Sequence, residues 1–365
     1  MFQKIKNVYH LFQAILANLW YGFPSRKLKV IGITGTDGKT TTTHLIYHIL
    51  KDAGKKVSMI STIYAKVGNN EYETGLHTTT PSSFMIQKML NLAVKNIQEY
   101  FVLETTSHAL DQNRVWGIRY EVGAITNITY EHLDYHKTYE EYVKTKLKLL
   151  KMAEVGIKNT DNIVNIIKEI PNLTKFNQYN YSTAYMVCHK LGFSDEIILN
   201  AMETFQLPKG RLEIVYNKGF KIIIDFAHTP NALLQLLPEI KKKYLKKNGR
   251  LIHVFGAAGL RDFTKRPLMG EVSSKYSDVI ILTEEDYRTE DLQEICRQIS
   301  SSIKNKKYQI ITDRQEAIDK AVKIAETNDV VVITGKAHEK SLCRGKTEEP
   351  WNEYKAVKKA LFNKI

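Results

Sequence analysis

A glycine-rich segment, Gly35-Thr36-Asp37-Gly38-Lys39-Thr40-Thr41, carries residue types that bind the phosphates of a nucleotide. Glycines let backbone N–H groups approach phosphate oxygens, Lys39 supplies a positive charge, and the Thr40 hydroxyl can ligate Mg²⁺. The segment follows a β-rich run at residues 28–34 and opens a helical pattern near Thr40, so an anion would face a helix N-terminus. The spacing is shorter than in the usual phosphate-binding loop. A strand-to-helix turn that binds nothing is the alternative, and the strand–loop–helix context favours the nucleotide.

Acids and histidines follow two further β-rich runs. Glu104 ends the run at residues 100–104, at the position where open α/β sheets bind ligands, so Glu104 is a candidate Mg²⁺ ligand. Residues 126–136, which begin at the end of a run at 124–128, contain two histidines and two acids. A lone histidine is usually structural, but this concentration indicates metal or phosphate chemistry.

The alternation of β-rich and helical segments predicts the elements that position these residues. It begins at Leu28 and is typical of a mostly parallel sheet flanked by helices. A second series follows Pro208-Lys209-Gly210-Arg211, with strands expected near residues 222–225, 251–255, 279–282, 310–312 and 330–334. We therefore expect an α/β protein. A P-loop-type ATPase domain with a mostly parallel sheet would span residues 28–209, and a smaller Rossmann-like α/β domain would span residues 210–365.

Composition narrows the class of protein. A chain of 365 residues that is 43% hydrophobic and 25% charged can fill more than one core. Its three cysteines, Cys188, Cys296 and Cys343, lie far apart, so we expect no disulfide framework or zinc site and a cytoplasmic location. The net charge of +14 comes from scattered lysines. It predicts solvated surfaces rather than a nucleic-acid module, and we expect a monomer.

Residues 1–27 precede the first predicted domain. Residues 5–23 are mostly apolar but include polar side chains, and no small-residue cleavage site follows, so they form neither a signal peptide nor a bilayer span. We predict an amphipathic helix with one broad apolar face: Val8, Leu11, Phe12, Ile15, Leu16, Leu19 and Trp20. The flanking Lys4, Lys6, Arg26, Lys27 and Lys29 make contact with a membrane surface the alternative. We favour packing of this face on the protein itself, because such stripes are more often core.

The motifs in their order resemble the Mur ligases, and most of all the MurE branch. The nine blocks lie between residues 31 and 339 and read GTDGKTTTT, HTTTP, LETTSHALDQNRV, TNITYEHLDYH, YVKTKLKLL, PKGRLE, DFAHTPNAL, GAAGLRDFTKRPLMG and GKAHE. Mur ligases are ATP-dependent amide-bond ligases of peptidoglycan precursor synthesis. The MurE branch adds the third amino acid to a UDP-MurNAc-peptide. The resemblance covers nearly the whole chain after Leu28.

The resemblance implies a mechanism with ATP and Mg²⁺ as cofactors. A substrate carboxylate attacks the γ-phosphate to give an acyl phosphate, and the amine of an amino acid then displaces phosphate. Lys39 would hold the β- and γ-phosphates, while Thr40, Glu104 and His132 would ligate Mg²⁺. Lys146 aligns with a lysine that is carbamylated in the family. From the residues alone, we expect Lys146 to be one of several surface lysines on a helix.

The resemblance also implies three sets of contacts. The ATP contacts would be Gly35, Thr36, Asp37, Gly38, Lys39, Thr40, Thr41 and, from the second domain when it closes, Arg211, Asp225 and His228. The contacts to the UDP-MurNAc-peptide would be Thr79, Thr80, Thr106, Gln112 and Arg114. For these, turn chemistry at the Thr-Pro step and ordinary loop polarity are the alternative. The contacts to the amino acid would be Asp286, Arg288, Gly335 and Glu339.

The amino-acid selector departs from the family pattern. The family has Asp-Asn-Pro-Arg or Asp-Asp-Pro, whereas this chain has Glu285-Asp286-Tyr287-Arg288. Arg288 stands where an arginine pairs with the distal carboxylate of meso-diaminopimelate. In the later GKAHE block, Ala337 replaces a glycine and is expected to change the turn. Diaminopimelate is favoured over lysine or another diamino acid.

Two other departures leave alternatives open. Only residues 1–27 precede the ATP domain, where the family has a domain that holds the uridine, and the segment between Met152 and Phe176 is short where the family has further strands. A Mur-related ligase of the MurT type, acting on a lipid-linked precursor, would explain the first departure, but this chain lacks the cysteine cluster of that type. A folylpolyglutamate synthase is the third candidate ligase, after the MurE and MurT types. A degenerate nucleotide-binding regulator is the non-enzyme alternative, and the joint presence of Lys39, Thr40 and Glu104 with His132 and Lys146 argues against it.

Overall fold

A computed structural model describes residues 2–75, 78–129, 131–159, 163–171 and 173–364. Of the residues named above, His77 and Tyr130 and the side chains of Lys4, Leu133 and Asp134 lie outside the described part. The chain divides into two compact units, Met1–Pro208 and Lys209–Ile365.

The first unit contains a seven-stranded sheet. Its strands in chain order are β1 (Lys29–Thr34), β2 (Val57–Ile60), β3 (Ala65–Val67), β4 (Asn70–Tyr72), β5 (Tyr100–Glu104), β6 (Tyr120–Ile125) and β7 (Ala153–Lys158). In space their order is β4-β3-β2-β5-β1-β6-β7. The five strands from β2 to β7 in this order are parallel, and β3 and β4 are antiparallel at one edge.

Helices cover both faces of this sheet. They are α1 (Phe2–Tyr21), α2 (Lys39–Asp52), α3 (Ser83–Lys95), α4 (Ser107–Asp111), α5 (Leu133–His136), α6 (Tyr139–Met152), α7 (Asn165–Lys168), α8 (Lys175–Lys190) and α9 (Asp195–Thr204). Side-chain oxygens cap several of these helices, as Ser82 does for α3 and Thr138 for α6. One core packs β-strand residues such as Ile31 and Ile33 against α2, α8 and α9, and the other packs Val30 and Phe101 against α3.

The second unit contains a six-stranded sheet and a small hairpin. The sheet strands are β8 (Glu213–Lys218), β9 (Phe220–Asp225), β10 (Leu251–Phe255), β11 (Val279–Leu282), β12 (Lys307–Ile310) and β13 (Val330–Thr334), in the order β12-β11-β10-β13-β9-β8. All neighbours are parallel except β8 and β9. The hairpin is β14 (Ser341–Arg344) and β15 (Thr347–Pro350). The helices are α10 (Pro230–Tyr244), α11 (Lys265–Tyr276), α12 (Leu292–Ser300), α13 (Arg314–Ile324) and α14 (Glu353–Phe362).

The predicted α/β class with parallel-dominated sheets is confirmed. Two predicted strands are displaced. The run expected at 124–128 is a strand at Tyr120–Ile125, because the residues after Ile125 bind the glycine-rich loop: the Thr126 hydroxyl donates to the Asp37 carbonyl at 2.6 Å and the Asn127 carbonyl accepts from the Thr36 N–H at 2.9 Å. The run expected at 310–312 is Lys307–Ile310, an exposed edge strand whose side chains carry no burial pattern. The segment after Met152, expected to be short of strands, contains β7.

The expectation that the apolar face of α1 packs on the protein is wrong. Five of its seven predicted members, Val8, Phe12, Leu16, Leu19 and Trp20, are exposed, while Leu11 and Ile15 are partly buried. The helix packs on α3 and on the loop before β6 through its other side, where Ala14, Ala17 and Asn18 are buried. Among the described helices, none has the length and hydropathy that crossing a bilayer requires.

Candidate active site

Three neighbouring strands bring the predicted site residues of the first unit to one edge of the sheet. Strand β1 lies between β5 and β6, with Ile33 beside Glu104 and Thr34 beside Ile125. The glycine-rich loop follows β1 and Glu104 ends β5. Because the strands are parallel, their carboxyl ends meet, which is where ligands bind in such sheets.

The loop from Gly35 to Thr41 has no space for side chains at its two glycines. A Cβ atom on Gly35 would lie 1.8 Å from the Thr126 Oγ1, and one on Gly38 would lie 1.9 Å from the Asn180 Oδ1. Gly38 also has φ 81°, which favours glycine, and it caps the N-terminus of α2. Thr41 is buried in the first turn of that helix. The close approach explains why glycine occurs at both positions.

Residues after β6 hold the loop in shape. The Asp37 N–H donates to the Asn127 Oδ1 at 3.0 Å, and the Asn127 side-chain amide donates back to the Asp37 carbonyl at 3.1 Å. The Thr36 N–H donates to the Asn127 carbonyl at 2.9 Å, and the Thr129 N–H donates to the Thr36 Oγ1 at 3.0 Å. The sequence reasoning assigned no role to Asn127 or Thr126. Their position directly after a strand that neighbours the phosphate loop was the available signal.

Two lysines converge on the loop. Lys39 Nζ donates to the carbonyls of Gly35 at 3.0 Å and Thr36 at 2.7 Å. Lys146 Nζ donates to the same Gly35 carbonyl at 2.6 Å and lies 4.5 Å from the centre of the Tyr142 ring. Lys146 is 1% exposed, so its interpretation as a surface lysine is wrong. Burial, and next the positive charge of Lys39, hold the pKa of Lys146 well below its usual value.

Hydroxyl and carboxylate oxygens cluster beside the loop. The Thr40 Oγ1 donates to the Glu104 Oε1 at 2.9 Å. Thr62 contacts the same carboxylate twice, through its hydroxyl at 2.9 Å and its N–H at 2.8 Å. Glu104 is buried. Mg²⁺ prefers oxygen ligands of this kind, so Thr40 and Glu104 fit the predicted metal site, and Thr62 is an addition that the sequence reasoning missed.

His132 lies in an aromatic cluster. Its ring is 4.9 Å from that of His108 in an edge-to-face arrangement, and its Nε2 is 3.7 Å from the Glu131 Oε2. His132 has φ 56°, which is unusual for a residue other than glycine. Within the described residues, no three His, Cys, Asp or Glu side chains form a metal-binding group by themselves. The role of His132 as a Mg²⁺ ligand therefore stays a prediction.

Four of the five predicted peptide contacts, Thr80, Thr106, Gln112 and Arg114, are joined by hydrogen bonds. The Thr80 hydroxyl donates to the Glu104 carbonyl at 3.0 Å and accepts from the Thr106 N–H at 2.9 Å, while half-buried Thr79 precedes it. Arg114 donates to the Thr80 carbonyl at 2.7 Å and to the Gln112 Oε1 at 2.8 Å. Thr106 caps α4. These hydroxyls thus serve the local turn chemistry, and the group positions Arg114 beside the end of β5.

Helix α1 joins this group, which sequence reasoning did not anticipate. The Gln3 amide donates to the Tyr135 hydroxyl at 2.7 Å, and the Asn7 amide donates to the Asp111 Oδ2 at 2.9 Å. Tyr135 in turn donates to Asp111 at 2.9 Å and accepts from Gln112 at 3.3 Å. The N-terminal helix is therefore hydrogen-bonded to neighbours of the predicted peptide contacts.

In the second unit, the predicted ATP contacts surround the end of β9. Buried Asp225 accepts N–H bonds from Leu212 and Ala227, both at 2.7 Å, and so fixes the segment that carries Arg211. Burial raises the pKa of Asp225, and Arg211 partly opposes this. The Arg211 guanidinium carbon lies 5.0 Å from the centre of the Phe226 ring. The rings of His228 and His338 also contact Phe226, at 4.8 and 4.7 Å between ring centres.

The predicted amino-acid contacts centre on a lysine that sequence reasoning quoted but did not assign. Lys336 is fully buried and donates to the Asp286 Oδ1 at 2.8 Å and to Glu339. Asp286 also accepts from the Cys343 N–H at 2.9 Å. These carboxylates keep the pKa of Lys336 raised although burial opposes it. Asp286 and Glu339 thus share the buried ammonium group of Lys336. Lys336 therefore links the selector segment from Glu285 to Arg288 with the later GKAHE block.

Arg288 and the turn at Gly335 complete this group. Arg288 Nη1 donates to the carbonyls of Gly259 at 2.8 Å and Asp286 at 3.3 Å, and the Arg288 backbone N–H donates to the Cys343 carbonyl at 3.0 Å. Among the described residues these two Nη1 contacts are the side-chain hydrogen bonds of Arg288, so Nε and Nη2 can serve a ligand. Gly335 has φ 106°, and a Cβ there would lie 2.8 Å from the Glu285 Oε2. Ala337, which replaces the family's glycine, keeps a positive φ of 41°.

Family models match both units. The Mur ligase middle domain matches residues 33–209, and the Mur ligase glutamate ligase domain matches residues 210–337. Together they account for most of the chain, including the phosphate loop, Glu104, Lys146 and the selector segment from Glu285 to Arg288.

Comparisons with individual proteins agree with the match to the family models. UDP-N-acetylmuramoyl-L-alanyl-D-glutamate–2,6-diaminopimelate ligase 1 of Clostridium acetobutylicum is 37% identical, with 89% of this chain and 76% of that protein covered. UDP-N-acetylmuramyl-tripeptide synthetase of Borreliella burgdorferi is 33% identical, with 96% and 80% covered. The solved structure of E. coli FolC with ADP has a TM-score of 0.72 at 20% identity, covering 89% of this chain and 90% of that chain, and shows a shared fold. The chain therefore belongs to the Mur ligase family and is an ATP-dependent ligase.

Proposed function

We propose that this ligase joins a diamino acid to the free carboxylate of a UDP-MurNAc-peptide, with ATP and Mg²⁺. The observation that carries the proposal is the convergence of Lys39, Lys146 and the Thr40–Glu104 pair at one sheet edge. This edge combines positive charge, oxygen ligands and a helix N-terminus. Such a combination suits the activation of a carboxylate by the γ-phosphate of ATP.

The nucleotide would lie on the loop from Gly35 to Thr41. Lys39 now donates to loop carbonyls, and we expect it to turn to the β- and γ-phosphates when ATP is bound. Thr40 and Glu104, with His132 as a further candidate, would hold Mg²⁺, which supplies positive charge where two anions meet. Asn127 accepts from the Asp37 N–H and so holds the loop in shape, and Glu104 is buried beside it.

Lys146 would act as its carbamate. Carbamylation needs an uncharged amine and CO₂, and burial beside Lys39 favours the uncharged amine at Lys146. The product is an anion next to Lys39, so the repulsion between two ammonium groups becomes an attraction. A carboxylate at this position would support the cations that hold the phosphates.

The substrates are inferred from relatives and from Arg288. The Clostridium acetobutylicum relative is named for 2,6-diaminopimelate, and the Borreliella burgdorferi relative for its UDP-N-acetylmuramyl-tripeptide product. A distal carboxylate can accept from the Nε and Nη2 donors of Arg288, whereas the distal ammonium of lysine would be repelled there. We therefore favour meso-diaminopimelate over lysine, with Glu339 near the substrate ammonium.

The test is phosphate release with ATP, Mg²⁺ and a panel of amino acids, with UDP-MurNAc-L-Ala-D-Glu, a lipid-linked peptidoglycan precursor or a folate as the acceptor in separate reactions. We expect release with diaminopimelate and little with lysine, and the product should gain the mass of one diaminopimelate residue. Release with lysine alone would reassign the amino acid. Release only with a lipid-linked or folate acceptor would reject the proposed peptide acceptor. No release with any acceptor would support the alternative of a degenerate nucleotide-binding regulator.

A further inference from the structure

The outward face of helix α1 is an apolar stripe. Its members recur at helical spacing over about four turns, and all are exposed: Ile5, Val8, Tyr9, Phe12, Leu16, Leu19 and Trp20. Trp20, the largest of them, is 80% exposed. Isolated exposed apolar residues are normal on a protein surface, but a continuous row of seven marks an interaction surface.

The opposite face of α1 holds the helix firmly on the protein. Ala14, Ala17 and Asn18 are fully buried, and the Asn18 amide donates to the Trp116 carbonyl at 2.8 Å. Near its start, Gln3 and Asn7 hydrogen-bond Tyr135 and Asp111. The usual polarity of a surface helix is thus reversed, because small and amide side chains face the protein and large apolar ones face outward.

The chain segment that carries the stripe has charged residues of one sign, and the carboxylate that contacts α1, Asp111, accepts from Asn7 on the side of the helix that faces the protein. Residues 1–36 contain Lys4, Lys6, Arg26, Lys27 and Lys29 and no aspartate or glutamate. Lys6, Arg26, Lys27 and Lys29 are exposed. An apolar helix face with aromatic rings and flanking basic residues is the pattern of helices that lie in the plane of an anionic lipid surface.

We propose that the stripe of α1 docks on the surface of an anionic phospholipid bilayer, with the helix in the plane of the interface. The apolar side chains would enter the boundary between headgroups and acyl chains, Trp20 and Tyr9 would lie at headgroup level, and the basic residues would contact lipid phosphates. A second copy of this chain fits less well, since pairing two stripes would bring two basic segments without acids together.

Docking would also orient the ligase. Because Gln3 and Asn7 bond to Tyr135 and Asp111, α1 is attached to the segment that leads to Gln112 and Arg114. That segment would then lie close to the lipid surface. The inference itself depends only on α1 and its charges, so it can fail or hold independently of the proposed substrates.

Sedimentation with vesicles tests the proposal. The full chain is mixed with phosphatidylglycerol–phosphatidylcholine vesicles or with pure phosphatidylcholine vesicles. We expect binding to the anionic vesicles, with a blue shift of tryptophan emission as Trp20 leaves water. The double variant Phe12→Glu/Leu16→Glu should bind about tenfold or more weakly, because two charges would enter the interface. A matched control, Leu260→Glu/Phe263→Glu, changes two exposed residues of the second unit and should bind like the unaltered chain.

A second variant keeps the apolar stripe and so remains informative if the first does not fold. Arg26→Gln/Lys27→Gln/Lys29→Gln should weaken binding to anionic vesicles on the order of fivefold for each charge and reduce its salt dependence. The proposal is wrong if the unaltered chain stays in the supernatant with anionic vesicles, or if Phe12→Glu/Leu16→Glu binds as well as the control. It is also wrong if analytical ultracentrifugation shows a dimer that Phe12→Glu/Leu16→Glu dissociates while vesicles bind neither form.

Discussion

Lys39 and Lys146 donate to the same oxygen, the carbonyl of Gly35, at 3.0 and 2.6 Å. Two ammonium groups on one acceptor in a buried setting repel each other, and the arrangement is relieved when one amine is uncharged. Lys146 is the buried one, and its pKa is held low. The phosphate loop and the helix α6 are thus linked through a pair of lysines whose charges are coupled.

The first prediction concerns Lys146. Lys146→Ala should abolish phosphate release, because the carbamate is lost, and acetate or another short carboxylic acid should restore part of it by entering the vacated space. Lys144→Ala is the matched control, since Lys144 lies exposed on the same helix. Labelling with ¹³CO₂ should give a carbamate signal in the unaltered chain and in Lys144→Ala. Full activity of Lys146→Ala would contradict the carbamate.

The second prediction concerns the phosphate loop. Lys39→Ala and Glu104→Ala should each reduce kcat by about 10²-fold or more, because each removes charge stabilisation in the transition state. Steady-state phosphate release is the measurement, with thermal melting to verify folding. The controls are Lys51→Ala at the other end of α2 and Glu99→Ala just before β5, both exposed, and both should be nearly normal. Near-normal turnover of a folded Lys39→Ala or Glu104→Ala would reject these assignments.

The sequence was informative where one local pattern determines one structure. Glycines before Lys39 predict the loop, and β-branched and apolar runs predict the buried parallel strands, because these positions tolerate few alternatives. The sequence was uninformative where a residue far away in the chain determines the burial or the hydrogen bonds of a side chain. The burial of Lys146 depends on Gly35 and Tyr142, and the pairing of Lys336 with Asp286 joins residues 50 positions apart. The orientation of α1 was predicted wrongly because an apolar stripe shows which face is apolar but not which face packs.

The third prediction tests the amino-acid selector. Arg288→Lys should raise KM for diaminopimelate by about tenfold at nearly constant kcat, because lysine cannot replace a bidentate guanidinium. KM for ATP should not change. Arg297→Lys, on the exposed side of α12, is the control. An unchanged KM for diaminopimelate in Arg288→Lys would mean that the distal carboxylate binds elsewhere.

The fourth prediction concerns the pH dependence of stability in the second unit. His253 is fully buried between the hydroxyls of Ser273 at 2.9 Å and Thr334 at 3.1 Å, and burial lowers its pKa from 6.5 to about 3. Below about pH 6.5 the unfolded chain therefore binds a proton at His253 that the folded chain does not bind until about pH 3. The free energy of unfolding should fall as the pH falls through this window, by about 1.4 kcal/mol per pH unit from this group.

His253→Gln should remove that part of the slope, since glutamine can keep hydrogen bonds to Ser273 and Thr334 without titrating. The measurement is urea unfolding between pH 7 and pH 4, followed by the fluorescence of Trp351, the tryptophan of the second unit, with Trp20 and Trp116 replaced by phenylalanine. His189→Gln, at an exposed histidine of the first unit, should leave the slope unchanged. Parallel pH profiles for His253→Gln and the parent chain would contradict the prediction, because they would mean that His253 binds its proton over the same pH range in the folded and the unfolded chain.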